Sequence, residues 1–397
     1  MLRSGSFARY LAGETISMLG TWMQQMAQGW VLAGLTTSAF TLGLVSFASG
    51  LPMLILTMFG GVVADRFEKK WILFFTQIVQ SALAIALGVL VAKHRIEVWH
   101  IVAAGVCLGI VIAFEMPAAS ALVPELVERD ELSAAIALDR SFFHATRLAG
   151  PAIGGWLIAS YGQASAFFAN SLSYVALMIA LISVHPRRHA SAHEADGRMT
   201  MKQGLAYVRG DRPTVAMISL LAISTICISP FFMILMPMFS LHVLRVGPSQ
   251  HGMLMASSGV GAFAGSVWLL SIAARQRGTY LRGAVAMISL AMLALANARG
   301  IMSAIAAMIV LTLGTSTVFG LANTIVQERA PDKIRGRVSA ISGLSFFGVI
   351  PFAGLLVSKI SDLVGMRTAM GSAAIIYGVA ASLLLHAHHR CTHPEAA

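Results

Sequence analysis

Charge is scarce in this chain. Asp, Glu, Lys and Arg together make up 11% of its 397 residues, under half of the roughly 25% found in ordinary soluble domains. So few charges cannot cover a water-facing surface of that size, which excludes a soluble fold. Cysteine is scarcer still. Cys107, Cys227 and Cys391 lie far apart, with no metal spacing and no obvious disulfide pair; Cys107 and Cys227 read as small apolar helix residues. The chain lacks a nucleotide-binding P-loop, so ATP is not expected to power it directly. It lacks a nucleophile–base constellation too, and no enzyme activity, cofactor or metal site is expected. Met1–Tyr10 is short, the apolar segment behind it is too long for a signal-peptide core, and no small-residue cleavage site follows, so the first helix is expected to stay as an anchor.

Apolar residues are what the chain has in quantity: 57% of the total, with a mean hydropathy of +0.77. A spanning helix needs about 20 mostly apolar residues. Twelve such runs are predicted, at 9–33, 39–64, 71–92, 98–122, 132–160, 164–185, 213–241, 250–273, 279–297, 300–326, 336–360 and 367–387. A closed β-barrel would instead show segments of about ten residues alternating in polarity. The net charge of +11 would raise nucleic-acid binding in a soluble protein. Here the 28 Lys and Arg sit in short clusters between apolar runs. Twenty of them fall in alternate loops on one side and six on the other, with Arg140 and Arg147 inside a span. Under the positive-inside rule this asymmetry puts both termini in the cytoplasm.

The longest polar stretch, Pro186–Arg212, is basic and lies near mid-chain, with a short amphipathic helix predicted at 200–209. Six spans precede it and six follow. The expected organisation is therefore an N-terminal bundle over 1–185, a cytoplasmic basic linker over 186–212, and a C-terminal bundle with a short tail over 213–397. Internal matches support a duplication. Ser141-Phe142-Phe143 recurs as Ser345-Phe346-Phe347, Pro151 as Pro351, and the basic turn Asp65–Lys70 as Arg275–Arg282.

The turn after the second span reads Gly61-Val-Val-Ala-Asp65-Arg66-Phe-Glu68-Lys69-Lys70. It resembles the G-x-x-x-D-R-x-G-R-K/R loop of the major facilitator superfamily, with Glu68 where that family prefers glycine. Gly150-Pro151-Ala-Ile-Gly154-Gly155 in span 5 resembles the G-P-x-x-G-G antiporter motif of the superfamily's drug exporters. Pro331-Asp-Lys-Ile-Arg335-Gly336-Arg337 and Val123-Pro124-Glu125-Leu126 are similar to segments of its siderophore (enterobactin) and macrolide exporter branch. The resemblance implies an all-α integral membrane protein of the major facilitator fold, with twelve transmembrane helices in two pseudo-symmetric six-helix bundles. It also implies that Gly61, Asp65, Arg66, Lys69 and Lys70 form a cytoplasmic gate, with Asp65 facing the start of span 11. Gly150, Pro151, Gly154 and Gly155 are expected to form a kinked close-packed seam, since proline interrupts the backbone ladder and glycine permits close approach.

Polar positions within the spans carry the expected mechanism. In span 1, Glu14, Ser17, Thr21, Gln24 and Gln28 recur at steps of three and four and so share one helix face. Facing lipid, that stripe would cost several kcal/mol, so it turns to the bundle interior, either lining a cavity or bonding neighbouring helices. Span 10 repeats the pattern with Thr312, Ser316, Phe319, Asn323 and Gln327. The resemblance implies that both spans line a central substrate cavity. Charged groups inside spans are functional candidates: Glu14, Glu115, Asp139 and Arg147 are the proton-coupling set, with Arg147 expected to need a carboxylate partner. The function expected is proton-coupled export, by alternating access, of an amphipathic small molecule such as a drug or siderophore. An importer or lipid flippase of the same fold, or a non-transporting receptor or scaffold, remains the alternative. Expected partners are the substrate, protons and the lipid bilayer of a bacterial cytoplasmic membrane, with no nucleic acid; the protein is expected to be a monomer.

Overall fold

The structure is a computed structural model that describes residues 5–185, 201–332 and 334–392, and these are helical almost throughout, with no strand among them. Before the linker run α1 (Gly5–Leu35), α2 (Ala39–Arg66), α3 (Lys69–Ala92), α4 (Val98–Leu126), α5 (Leu132–Tyr161) and α6 (Ser165–Ser183). The linker helix expected at 200–209 is α7 (Met201–Gly210). Then follow α8 (Arg212–Cys227), α9 (Ser229–Met233), α10 (Met236–Met238) with a π turn over Phe239–Val243, and α11 (Pro248–Leu269). The chain closes with α12 (Arg277–Ala296), α13 (Ile301–Arg329), α14 (Arg335–Phe347), α15 (Ile350–Val364) and α16 (Met366–Thr392). Linker residues 186–200, with Arg3 and Lys333, lie outside the described residues, as do the side chains of His388, His389 and Cys391.

By length and apolar composition alone, nine of the described helical segments are able to cross a bilayer. The expected spans outside that set are α1, α5 and the 212–243 run. Polar and charged side chains lower the hydropathy of α1 and α5, and the third run is broken. Two expected spans are therefore not single helices. Pro230 and Pro237, which lack an N–H for the helical ladder, divide span 7 into α8, α9, α10 and the π turn. Span 11 divides at Gly348 and Val349, just before Pro351. Pro151 holds the matching place in the first half, yet α5 runs through it unbroken. Close contacts flank Pro151, at Gly150 against Trp22 and at Gly154 against Met23.

The chain forms two compact units, Met1–Ala190 with Pro237–Ala256, and Ser191–Met236 with Ser257–Ala397. In the first, α1 packs on α5 and α6, α3 on α4 and α6, and α2 on α4. In the second, α8 packs on α14 and α16, and α12 on α13 and α16. First with sixth, third with sixth, third with fourth and first with fifth: the same pairings recur, as a duplicated six-helix pattern requires.

Helices in lipid have little hydrophobic force between them, so close approach depends on small residues. Gly109 of α4 lies against the Ser49 carbonyl of α2, and Gly60 of α2 against the Ala113 carbonyl of α4. In the second unit Gly261 and Gly265 of α11, four residues apart, lie on the carbonyls of Ile309 and Leu313 of α13. Gly61, the next residue, faces open space, because one residue along a helix turns the side chain by about 100°.

Helix ends are tied with charge. Lys70 donates to the carbonyls of Ile182 (3.0 Å) and Val184 (2.9 Å), and Arg9 to that of Ser183 (3.0 Å), so two cations close the C-terminal end of α6. Asp211 caps α8 by accepting from the Thr214 N–H (3.1 Å) and also accepts from Arg329 Nε (2.9 Å) and Nη2 (2.6 Å). The Tyr207 hydroxyl donates to the Arg329 carbonyl at 2.7 Å, which ties α7 to the end of α13. Arg329 holds the Asp211 carboxyl below its ordinary value of 3.8, at about 2.

Two outcomes test this packing. Gly109→Val should lower thermal stability in detergent by roughly 1–3 kcal/mol through overpacking at Ser49. For Asp211, whose folded value is depressed, the stabilisation is present above about pH 4 and lost as pH falls through about 2. The melting difference between wild type and Asp211→Asn, which keeps the cap, should therefore be constant from about pH 5 to 8 and shrink below about pH 4.

Candidate functional site

Three helices of the first unit line one cavity of about 350 Å³, and α1 and α5 bring charged residues to it. From α1 come Tyr10, Leu11, Glu14, Thr15 and Met18; from α4, Met116, Ala119, Ser120 and Val123; from α5, Ile136, Asp139, Arg140, Phe142 and Phe143. The helical period explains the α1 contribution: Tyr10, Glu14 and Met18 repeat every four residues and occupy one face. Two carboxylates, one guanidinium and an aromatic–aliphatic wall give the cavity an amphipathic lining, a small polar set on an apolar surround typical of small-molecule sites.

Among the described residues Arg147 has no carboxylate partner of the kind expected for it. Its guanidinium carbon lies 5.7 Å from the Trp22 ring centroid, so the face of an indole meets the charge. Trp22 in turn meets Phe143 of the cavity wall edge-on at 5.8 Å. Glu115 does not line the cavity either. It stands behind the wall, where Gln77 Nε2 donates to one carboxylate oxygen at 2.7 Å and Gln80 Nε2 to the other at 2.9 Å.

The rest of the span 1 stripe takes the other course open to it. Ser17 donates to Gln77 Oε1 of α3 (3.2 Å), Thr21 pairs with the Tyr174 hydroxyl of α6 (3.3 Å), and Gln24 accepts from Asn170 Nδ2 of α6 (2.8 Å). Gln28 is half-buried. Span 10 behaves alike in the second unit. Thr312 bonds back to the Met308 carbonyl (2.8 Å), Ser316 donates to the Ala262 carbonyl of α11 (3.0 Å), and Asn323 accepts from Ser342 of α14 (2.7 Å). Phe319 packs edge-on against Phe346 of α14 at 5.1 Å. Within the expected gate, Lys69 forms an ion pair with Glu125 of α4 at 2.9 Å, while Asp65 and Arg66 are exposed at the end of α2. In the expected seam, Gly150 and Gly154 lie on Trp22 and Met23 of α1, and Gly155 lies on Pro248 and Gly252 of α11.

The pattern of the transmembrane secretion effector family, one of the major facilitator families, matches residues 1–396. The chain belongs to that family. It is 24% identical over 201 residues to the staphyloferrin A transporter of Staphylococcus aureus, covering 50% of this chain and 51% of that protein. It is 23% identical over 365 residues to macrolide efflux protein A of Streptococcus pyogenes, covering 90% and 89%. The chain spans about half the length of the first curated relatives it matches. Among solved structures it is similar to a bacterial homologue of the human lysosomal transporter Spinster in an inward-facing, unoccupied conformation, with a TM-score of 0.75, 14% identity and coverage of 98% and 97%. The fold is therefore the twelve-helix major facilitator fold, and the protein is a bacterial multi-pass membrane protein of a transporter family.

Sequence reasoning missed Tyr10, Gln77 and Gln80 as parts of this charged core. A signal was present: in α3, Thr76 and Gln80, and Gln77 and Ser81, stand four residues apart on one helix face, and all four are buried. Interhelical bonding of the stripe has a measurable consequence. A double-mutant cycle on Gln24→Leu and Asn170→Leu, read by thermal unfolding in detergent, should return a coupling of about 0.6 kcal/mol, the average for such bonds in membrane helices.

Proposed function

We propose that this protein is a secondary-active exporter of an amphipathic small molecule, driven by proton antiport and working by alternating access in the bacterial cytoplasmic membrane with both termini cytoplasmic. One observation carries the reading: the cavity sets Glu14 and Asp139 beside Arg140 on a wall of Phe142, Phe143, Met18 and Met116. An apolar wall holds the hydrocarbon body of such a substrate, and the charged edge orients its polar end. Carboxylates inside a membrane domain are costly to keep unless they serve a pathway for ions or substrate. Glu14 and Asp139 meet the substrate, Glu115 supplies the coupling carboxylate, and Arg147 adds positive charge from behind Trp22. The turn Gly61–Lys70 is the gating element in this reading.

The names of the relatives, a macrolide efflux protein and a staphyloferrin A transporter, agree with a sizeable amphipathic cargo. The positive-inside asymmetry supports the orientation. The test is flux in vesicles containing the full chain, with an imposed pH gradient and a panel of macrolides, dyes and ferric siderophores. At least one compound should move with the gradient, and Glu14→Gln should slow it about tenfold or more, some 1.4 kcal/mol of lost stabilisation. Flux indifferent to the gradient, or unchanged in Glu14→Gln, would refute the assignment.

A further inference from the structure

Gln77 and Gln80 are an unusual pair to bury in a membrane helix. Both are buried, at 0% and 5% exposure, and both give their amide N–H to one carboxylate, Glu115, from one side. Ionised, Glu115 only accepts hydrogen bonds, and each oxygen is met by a donor. Protonated, it must also donate, and it then needs an acceptor where an N–H now stands.

An amide carries both kinds of group on one end, so a half turn of its terminal bond exchanges donor for acceptor. Gln77 is tied at its other atom, because its Oε1 accepts from Ser17 at 3.2 Å. Turning it would oblige Ser17 to reverse its own bond. Among the described residues Gln80 makes only its bond to Glu115, so its turn disturbs nothing else. After that turn the protonated acid donates to Gln80 Oε1, while Gln77 still donates to the opposite oxygen. The carboxyl is fully hydrogen-bonded in either state, which removes the penalty of an orphaned group in the interior.

We propose that Glu115 is the proton store of the exchange, separate from the substrate cavity, and that Gln80 is its positioning residue, turning its amide as the proton arrives from the medium and leaves again. This rests on the exporter reading and divides its labour: Glu14 and Asp139 hold substrate while Glu115 holds the proton. The step is proton binding and release alone, with no bond formed to another molecule. Glu115 precedes Met116 of the cavity wall in α4, so a change at the store is felt one residue from the substrate. The ionisable groups around it are Tyr10 and Glu14 from α1 and Tyr174 from α6, while Asp139 of α5 acts on Tyr10 and Glu14. Those of α2 and α3 stand at the turn between them, at Asp65, Arg66, Lys69 and Lys70.

Infrared difference spectra of the full-length protein in lipid nanodiscs, taken across a pH titration, test the store without any substrate. Wild type should show a protonated-carboxyl stretch that is lost in Glu115→Gln and kept in Glu14→Gln. In Gln80→Leu the band should persist at a shifted frequency, because the acid has lost its acceptor; Gln80→Asn, which keeps an amide, should restore the frequency in part. In vesicles, Glu115→Gln should lose gradient-driven flux tenfold or more, yet retain counterflow of the panel compound that wild type carries. A band surviving Glu115→Gln, or a frequency indifferent to Gln80→Leu, would overturn the proposal. If wild type carries none of the panel compounds the exporter reading fails alone, and the spectra still decide whether Glu115 and Gln80 bind a proton together.

Discussion

A hydrogen-bonding group inside hydrocarbon has no water to turn to, and the polar side chains of this fold are placed by that constraint. Asn170 meets Gln24, Ser81 meets Ser171 at 2.9 Å, and Ser342 meets Asn323, each across a helix interface. Helix ends obey the same rule. Arg367 closes the C-terminal end of α12 by donating to the carbonyls of Ala296 and Ala298, as Lys70 and Arg9 do for α6. Polar side chains that find neighbours in this way hold the bundle together. Glu14, Asp139 and Arg140 meet at a cavity instead, and that separates a site from glue.

Close packing is the second demand, and the two units meet it with the same plan and different residues. The glycine pair that admits a close neighbour stands on α4 in the first unit, at Gly105 and Gly109, and on α11 in the second, at Gly261 and Gly265. The proline pair has diverged in effect. α5 runs unbroken through Pro151, whereas the chain before Pro351 opens between α14 and α15. The two units therefore share which helices pair and differ in where a helix is broken.

Much of this was legible beforehand. Each predicted span matches a helix, or a broken run of helices, to within a few residues at most ends, because the demand for about twenty apolar residues acts on every segment separately. The face of α1 that points inward was legible from spacing alone. The partners of that face were not. Arg147 was expected to seek a carboxylate and rests on Trp22. Gln77 and Gln80 drew no attention because neutral amides look inert until a carboxylate is seen between them.

Membrane residence, the number and position of the crossings, and the sidedness of the polar stripes were determined by the sequence alone, since exclusion of polar groups from hydrocarbon is a property of each segment by itself. The cavity and the Glu115 clasp were decided only by tertiary structure. Glu14, Glu115 and Asp139 sit on three different helices, and whether a buried carboxylate faces an arginine, an indole or a pair of amides depends on which helices the packing brings together. Hydrogen bonding reaches about 3 Å, and only the fold sets what lies within it.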